Sequence, residues 1–128
     1  MKKFLFAVVS LFILLMITGY LIHGVILKDM YMNTMSLWRP LPEMKNWLIN
    51  MTSLVHCTIF VLLYSMMSKK SIGAGIKFGF LFGIAYGFGM GYGTYSTMPI
   101  PIYMAHAWFI GTVIETTLAG LVTGLIIK

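Results

Sequence analysis

Four long apolar stretches constrain the fold of this chain more than any other feature of its sequence. They cover residues 4–27, 46–67, 72–95 and 102–127, with charged residues, Ser and Pro at their boundaries. A helix needs about 20 predominantly apolar residues to cross the hydrocarbon core of a bilayer. Because lipid offers no hydrogen bonds to the backbone, stretches of this length are expected to be helices. The sequence predicts an all-α integral membrane four-helix bundle, a single domain over residues 1–128.

The composition agrees with a membrane location. Hydrophobic residues make up 59% of the chain and charged residues only 9%, whereas soluble domains carry roughly 25% charged residues. The formal net charge of +6 does not indicate nucleic acid, because the basic residues flank the apolar stretches instead of clustering on one face. The expected partner is therefore the lipid bilayer, and no nucleic acid is expected.

The distribution of Lys and Arg predicts the orientation of the four spans. The two termini and the second loop, together with Lys77 near that loop, hold six basic residues, and the first loop holds the other three. Cytoplasmic loops carry an excess of Lys and Arg. Both termini are predicted to be cytoplasmic, in a bacterial inner membrane. The first span is longer than the apolar region of a signal peptide and has no Ala-x-Ala-like site, so we interpret it as a permanent helix.

Two loops lie on the predicted external side. The first, over residues 28–45, carries Tyr31 and Trp38, and Trp47 follows it at the start of the second span. Aromatic residues favour the headgroup level, which predicts a short irregular or helical cap along the interface. The other loop contains Pro99 and Pro101, which cannot continue a helix, so the last two spans should form an antiparallel hairpin.

A glycine zipper is predicted in the third span. Small residues at intervals of four share one helix face and allow another backbone to approach closely. The expected acceptor is the fourth span, or the same helix of a second copy, and a glycine-lined conduction path is a further alternative. The glycines that carry the pattern are Gly75, Gly79, Gly83, Gly87 and Gly91, and the expected acceptor positions are Ala119, Gly120 and Gly124.

Glu115 is the one acidic residue within the four spans, and it lies near the middle of the fourth. An acid at the centre of a membrane helix costs about 2.5–3.5 kcal/mol on insertion scales, and such residues are functional candidates by default. Proton or cation handling is the corresponding chemistry. The structural alternative is a neutral carboxyl group bonded to Tyr86, Thr112 or a nearby backbone group.

Three histidines, His23, His56 and His106, are predicted in the outer half of the membrane. They could form a metal site or a proton path towards Glu115, since imidazole binds metals and titrates near physiological pH. His23 and His106 are at matching depth, which leaves open a haem clamped between helices. His106 and Glu115 lie on opposite faces of their helix. Each histidine alone is also consistent with a buried hydrogen-bonding residue.

Methionine is abundant, with 12 residues, and thioethers select Cu(I), so a copper surface is one alternative. Methionine is equally an ordinary filler of apolar gaps. The single cysteine, Cys57, forms no internal disulfide, and no catalytic motif is present. We expect no enzymatic activity and no cofactor. The external and outer-half methionines are Met30, Met32, Met35, Met44, Met51, Met90, Met98 and Met104.

The chain resembles families of small four-span bacterial inner-membrane proteins of undefined function. The resemblance follows most of the chain: His23-Gly24 before Tyr31, the Trp38-Arg39-Pro40 triplet, the glycine-rich third span, and Pro99-Ile100-Pro101 leading into Trp108 and Glu115. It implies a fold and a membrane location, and no activity.

Two functions are consistent with these features. The first is a scaffold or accessory subunit of a membrane assembly, present as a homo-oligomer or within a larger membrane complex. The alternative is a small permease, or a copper- or proton-handling protein, that uses Glu115 with His23, His56 and His106.

Overall fold

The computed structural model describes residues 1–128, and all of its regular structure is helical. Four helical segments are long and apolar enough to cross a membrane, and their ends lie within two residues of the bounds expected from hydropathy. The chain is therefore all-helical, with four helices that are long and apolar enough to span a membrane. The candidate spans are Lys2–Ile26, Asn46–Ser65, Ile72–Thr97 and Ile102–Ile126.

The first and third spans are not α-helical throughout, because each contains a π-helical segment. The first consists of α1 (Lys2–Gly19) and a π-helical segment, Tyr20–Ile26. The third consists of α4 (Ile72–Phe88), a π-helical segment, Gly89–Gly93, and the short α5 (Thr94–Thr97). Hydropathy does not distinguish these segments from α-helix, and π-helical turns occur often at functional sites.

The other two spans are continuous α-helices, and short helices occupy the first loop. These spans are α3 (Asn46–Ser65) and α6 (Ile102–Ile126). The first loop contains α2 (Lys28–Asn33) and two 3₁₀ turns, Met35–Leu37 and Leu41–Glu43. The first loop is thus largely helical, which is one of the two forms expected for it.

The turn between α3 and α4 is held by the hydroxyl group of Tyr64. This fully buried side chain donates to the carbonyl oxygen of Ser71 at 2.9 Å and accepts from the Ser71 amide at 3.0 Å. The Ser71 side chain in turn accepts from the amide of Ala74 at 3.1 Å and so caps the start of α4. The tight connection makes α3 and α4 antiparallel neighbours.

The backbones of α4 and α6 approach each other closely along one line of glycines. A methyl group at Gly75 would overlap the carbonyl oxygen of Gly120, and one at Gly79 would overlap that of Thr116. Further along, a methyl group at Gly91 would lie 2.5 Å from the carbonyl oxygen of Ala105. Rising positions along the third span thus meet falling positions on α6, so α4 and α6 form an antiparallel pair.

The four long helices pack in a ring in the order α1, α3, α4 and α6. Helix α1 contacts both α3 and α6, while aromatic side chains join α3 to α4. The ring centroid of Phe60, for example, lies 4.8 Å from that of Phe78 and 5.2 Å from that of Phe82. The packed interior between these helices is apolar apart from the buried Thr116 and Thr123, and large apolar side chains are exposed around the outside. The buried residues of the interior are Ala7, Val8, Leu11, Cys57, Phe60, Val61 and Ala119.

A second, smaller cluster joins the first loop to the beginning of α6. Its buried residues are Ile100, Met104 and Ala105. Side chains of the loop, including Tyr31 and Trp38, pack against them, together with Trp108 of α6. This packing positions Tyr31 over the end of the bundle where the π-helical segments lie.

Candidate functional site

Glu115 on α6 is hydrogen-bonded to Thr18 on α1. The hydroxyl oxygen of Thr18 lies 2.6 Å from Oε1 of Glu115 and 3.0 Å from the carbonyl oxygen of Leu14. This partner differs from Tyr86 and Thr112, the side chains that the position of Glu115 in the sequence suggested. Neither of those residues bonds to the carboxyl group, because Tyr86 lies beside His56 and the Thr112 side chain contacts the Gly87 position.

The Thr18 hydroxyl group lies close to two oxygen atoms, Oε1 of Glu115 and the Leu14 carbonyl oxygen, so its hydrogen bonds can be arranged in two ways. A hydroxyl group has one proton to donate, and a carbonyl oxygen can only accept. With Glu115 protonated, its O–H donates to Thr18 while Thr18 donates to Leu14, so every proton has an acceptor. With Glu115 ionised, Thr18 donates to the carboxylate and releases the Leu14 carbonyl. The same atomic positions therefore allow Thr18 to form a hydrogen bond with either the protonated or the ionised form of Glu115.

Glu115 also lines a cavity of about 120 Å³ together with His23. The cavity lies between the first span, the π-helical segment after α4, and α6. His23 and Met90 come from the two π-helical segments, one from each. The complete lining is Ile22, His23, Met90, Trp108, Gly111, Thr112 and Glu115. This cavity, which we call the outer cavity, is the candidate functional site.

A chain of hydrogen bonds fixes the ring of His23. The indole N–H of Trp108 donates to the hydroxyl oxygen of Tyr31 at 3.0 Å, and that oxygen lies 2.8 Å from Nδ1 of His23. When the Tyr31 hydroxyl donates to Nδ1, His23 is neutral and carries its proton on Nε2. Burial raises the pKa of Tyr31 above its ordinary value, and the hydrogen bond from Trp108 opposes that shift. Tyr31 thus connects the first loop to two residues that line the outer cavity.

The three histidines do not converge on one site. His56 lies among aromatic rings of α3 and α4, with its centroid 4.9 Å from Tyr86 and 5.5 Å from Phe82. His106 is exposed, and its Nδ1 lies 2.7 Å from the hydroxyl oxygen of Tyr92. Only His23 shares a cavity with Glu115.

Metal chemistry finds little support in this arrangement. No group of three or more His, Cys, Asp and Glu side chains is placed to hold a metal ion. His23 and His106 each bond to a different tyrosine through Nδ1. The methionines are also dispersed: Met90 lines the outer cavity, Met104 is fully buried, and Met35 is 71% exposed.

A second space, which we call the lateral groove, lies on the other side of Glu115 between the first span and α6. Its volume is about 400 Å³, and its lining is apolar apart from Thr18 and Glu115. Ile22, Gly111 and Glu115 line both spaces. The other residues of the groove are Leu21, Ile26, Leu27, Ala107, Ile110 and Ile114.

Thr18 and Trp108, which form hydrogen bonds at the site, were not identified as site residues from the sequence, and neither were Ile22 and Gly111, which line the outer cavity. A signal for the α6 face was present, because Trp108, Gly111, Thr112 and Glu115 follow the i, i+3, i+4, i+7 spacing of one helical face. Thr18 had no comparable signal, since its role depends on which helix lies beside α6. Comparison of the chain with protein-family models, with curated proteins and with solved structures gives no match.

Proposed function

We propose that this chain is a small proton-handling permease in which Glu115 takes up and releases a proton. The observation that carries this proposal is that Glu115 shares the outer cavity with His23. Ionisable residues inside spans mark ion pathways and proton relays in membrane proteins. An imidazole ring has one nitrogen that accepts a proton and one that donates a proton, which suits His23 to pass protons between water and an acid.

The hydrogen bonds around Glu115 support repeated gain and loss of a proton. Thr18 accepts from the acid or donates to the anion with no movement of the backbone, because both partners are within 3.0 Å of its hydroxyl oxygen. Reorientation of one hydroxyl group accompanies each change of charge. The outer cavity has room and polar partners for water molecules that would complete the path to His23.

A pH titration by infrared spectroscopy tests the proposal directly. The chain has three acidic side chains, Asp29, Glu43 and Glu115, and the first two lie in the first loop. We expect the purified protein in lipid to show a carboxyl carbonyl band that disappears as Glu115 ionises. Glu115→Gln should remove this band, and the matched variant Glu43→Gln should retain it. A spectrum of Glu115→Gln identical to that of the unaltered protein contradicts the proposal.

A flux measurement tests the permease part of the proposal. Proteoliposomes that hold a pH-sensitive dye should dissipate an imposed pH gradient faster than empty vesicles. Glu115→Gln should reduce the rate to that of empty vesicles, whereas Glu43→Gln should not change it. Equal rates for the unaltered chain, Glu115→Gln and Glu43→Gln would contradict proton transport through Glu115.

We also propose that both termini are cytoplasmic, in a bacterial inner membrane. The support is the excess of Lys and Arg near the termini and the second loop. In this orientation the outer cavity faces away from the cytoplasm. Cysteines introduced at Lys69 and at Pro42 in a Cys57→Ala background should react with a membrane-impermeant reagent only from opposite sides.

A second candidate function, a scaffold or accessory subunit of a membrane assembly, has separate support. Gly89 and Gly93 have no atoms within 4 Å of an added methyl group, and Ala85 one turn earlier is exposed. A helix of another chain could approach closely there, while the proposed zipper glycines are occupied by α6. Gly93→Leu should then abolish a homo-oligomer or larger complex detected by native mass spectrometry, and an unchanged assembly contradicts this candidate.

A further inference from the structure

We infer that the outer cavity binds a small primary ammonium cation, with Glu115 as its counter-ion. The inference rests on the proposed function, because the carboxyl group that pairs with the cation is also the group that carries the proton. It names a ligand class for that function, and its test is separate from the titration of Glu115.

Three polar atoms of the cavity lining have no hydrogen-bond partner within the chain. Glu115 bonds through Oε1 alone, to Thr18, and His23 bonds through Nδ1 alone, to Tyr31. Oε2 of Glu115 and Nε2 of His23 are therefore open. Thr112 accepts a hydrogen bond at its backbone carbonyl oxygen, while its own hydroxyl group makes none.

The open oxygen atoms face the outer cavity. No buried polar side-chain atom in the chain lacks a partner, so Oε2 of Glu115 and Oγ1 of Thr112 are both accessible. The lateral groove exposes almost no polar surface, and Thr112 does not line it. The methyl group of Thr112 lies against the Gly87 position, which leaves the hydroxyl group free to contact a ligand. The outer cavity, which Glu115 and Thr112 both line, is where a ligand would meet these atoms.

The three open atoms match the hydrogen-bonding capacity of a primary ammonium group. Such a group has three N–H donors and no acceptor. The carboxylate oxygen of Glu115 and the hydroxyl oxygen of Thr112 can both accept. Nε2 of His23 accepts when Nδ1 carries the ring proton and donates to the hydroxyl oxygen of Tyr31, which also accepts from Trp108. Each donor of the ammonium group then has an acceptor.

The size of the cavity limits the ligand to a few non-hydrogen atoms. Its volume is about 120 Å³, whereas sites for drug-sized ligands start at about 300 Å³. Ile22 and Met90 supply apolar surface for a methyl group or a short alkyl chain. A hard metal ion fits less well, because Ca²⁺ takes about six to eight oxygen ligands and Mg²⁺ about six, and the side chains of the lining offer two open oxygen atoms.

The charge of the lining selects a cation. Glu115 is the only acidic residue of the lining, and no Lys or Arg lines the cavity. His23 is the only other titratable residue there, and Tyr31 is the titratable group bonded to it. His106 of α6 lies outside the cavity and is bonded to Tyr92. An anion would meet a carboxylate with no compensating positive charge, whereas a cation would form an ion pair.

The ammonium cation and the proton compete for Glu115. When the cation binds, the protonated carboxyl group releases H⁺ to the solution, and the resulting carboxylate pairs with the cation. One positive charge enters as one leaves, so the net charge of the site is unchanged. In the proposed permease, this competition would couple movement of the cation to movement of the proton in the opposite direction.

Binding of methylammonium to the purified full-length chain in detergent tests the inference. Tetramethylammonium is the matched probe, because it carries the same charge and has no N–H donor. Equilibrium dialysis with radiolabelled methylammonium should show saturable binding that weakens as the pH is lowered and Glu115 becomes protonated. Tetramethylammonium should compete poorly for the site. In unbuffered solution, addition of methylammonium chloride should acidify the unaltered chain but not Glu115→Gln.

Three variants separate the open hydroxyl group from the carboxyl group. Glu115→Gln should weaken methylammonium binding by at least about tenfold, because the cation loses its counter-ion. Thr112→Val keeps the shape of the side chain and should weaken binding about fivefold, since one acceptor is lost, while the Glu115 infrared band still titrates. Thr117→Val is the matched control, because the Thr117 hydroxyl bonds to the Val113 carbonyl of its own helix at 2.6 Å and lines neither space. Circular dichroism and gel filtration establish that each variant is folded.

The outcomes distinguish this inference from the proposed function. Saturable binding that is weakened in Glu115→Gln and Thr112→Val, and not in Thr117→Val, supports the inference. Equal affinity for the two probes, or full affinity in Thr112→Val, would mean that the open atoms of the lining do not bind the ligand, which overturns it. Absence of methylammonium binding with a normally titrating Glu115 band also overturns it and leaves the proposed function intact. Absence of a titrating band in the unaltered chain would overturn the proposed function.

Discussion

The hydroxyl oxygen of Thr18 and the carboxyl oxygen Oε1 of Glu115 lie 2.6 Å apart, between the first span and the last. This contact places the one acidic residue within the spans between an outer cavity and a lateral groove. It also gives the acid a partner that can either donate or accept. The arrangement satisfies the carboxyl group in both of its protonation states.

Replacement of Thr18 by Val tests this contact, because Val keeps the shape of Thr and removes the hydroxyl group. We expect a loss of about 1 kcal/mol in the free energy of unfolding, as is usual for one hydrogen bond in a protein or a membrane bundle. The infrared band of Glu115 should move to the higher frequency of a carbonyl group with fewer hydrogen bonds.

The control for this variant is Thr58→Val on α3. The Thr58 hydroxyl bonds only to the Leu54 carbonyl of its own helix, at 2.8 Å. Its loss should leave the Glu115 band unchanged. A band at the same frequency in Thr18→Val and in the unaltered chain would show that Thr18 does not bond to Glu115.

The contribution of close packing can be measured with one substitution at two glycines. Gly79→Ala should reduce stability by about 1–3 kcal/mol or more, because the added methyl group overlaps the backbone of α6 at Thr116. Gly89→Ala adds the same group where no atom lies within 4 Å. Unfolding in detergent should show a large loss only for Gly79→Ala; equal effects at the two sites would refute the close approach of α4 and α6.

Substitutions of His23 and of His106 test whether the proton path runs through the outer cavity. His23→Ala should alter the Glu115 infrared band and slow proton flux, because His23 lines the same cavity. His106→Ala should leave both unchanged, since His106 bonds to Tyr92 outside that cavity. The opposite ranking of the two variants would indicate that the proton path follows α6 instead of the outer cavity.

Stability should depend on Tyr31 at alkaline pH. Its pKa in the folded chain is raised above the ordinary value of 10.0. Below pH 10 the hydroxyl group is protonated in both states, so its contribution to stability is complete. As the pH rises, the unfolded chain loses this proton first, and the contribution is lost until the pH passes the folded pKa.

The variant Tyr31→Phe isolates that effect. Its free energy of unfolding should fall less than that of the unaltered chain over the same alkaline interval. At neutral pH it should also be less stable by about 1 kcal/mol, because the Trp108 N–H loses its acceptor. Parallel curves for the two proteins above pH 10 would contradict the raised pKa.

Hydropathy was sufficient to predict the four long helices and their bounds, because the cost of exposing backbone groups to lipid leaves few alternatives. It also indicated Glu115 as a candidate, since an acid within a span is costly. The partner of Glu115 was not predictable in the same way. Contact with Thr18 depends on α1 lying beside α6, and four uniformly apolar helices carry little information about their neighbours.

For a similar reason, the sequence did not predict that the three histidines lie apart from one another. Depth along a helix can be counted from the sequence, and it brought His23, His56 and His106 into the same half of the membrane. The direction of each ring depends on helix rotation. For His23 that rotation is changed by a π-helical segment, Tyr20–Ile26, which hydropathy does not reveal.

The two π-helical segments set the angular phase of the chain beyond them. A π-type bond spans five residues where an α-type bond spans four, as between the Leu27 amide and the Ile22 carbonyl at 2.8 Å. Each segment therefore contains about one residue more than an α-helical path would need. Deleting one residue from either would let that segment close as α-helix, with the part of the span beyond it in about its present angular phase. Deleting one residue from α1, which has no extra residue, would rotate the rest of the first span by roughly 100°. The outer cavity thus depends on chain length as much as on side-chain identity, because a one-codon deletion in α1 turns Ile22 and His23 away from it while both residues remain.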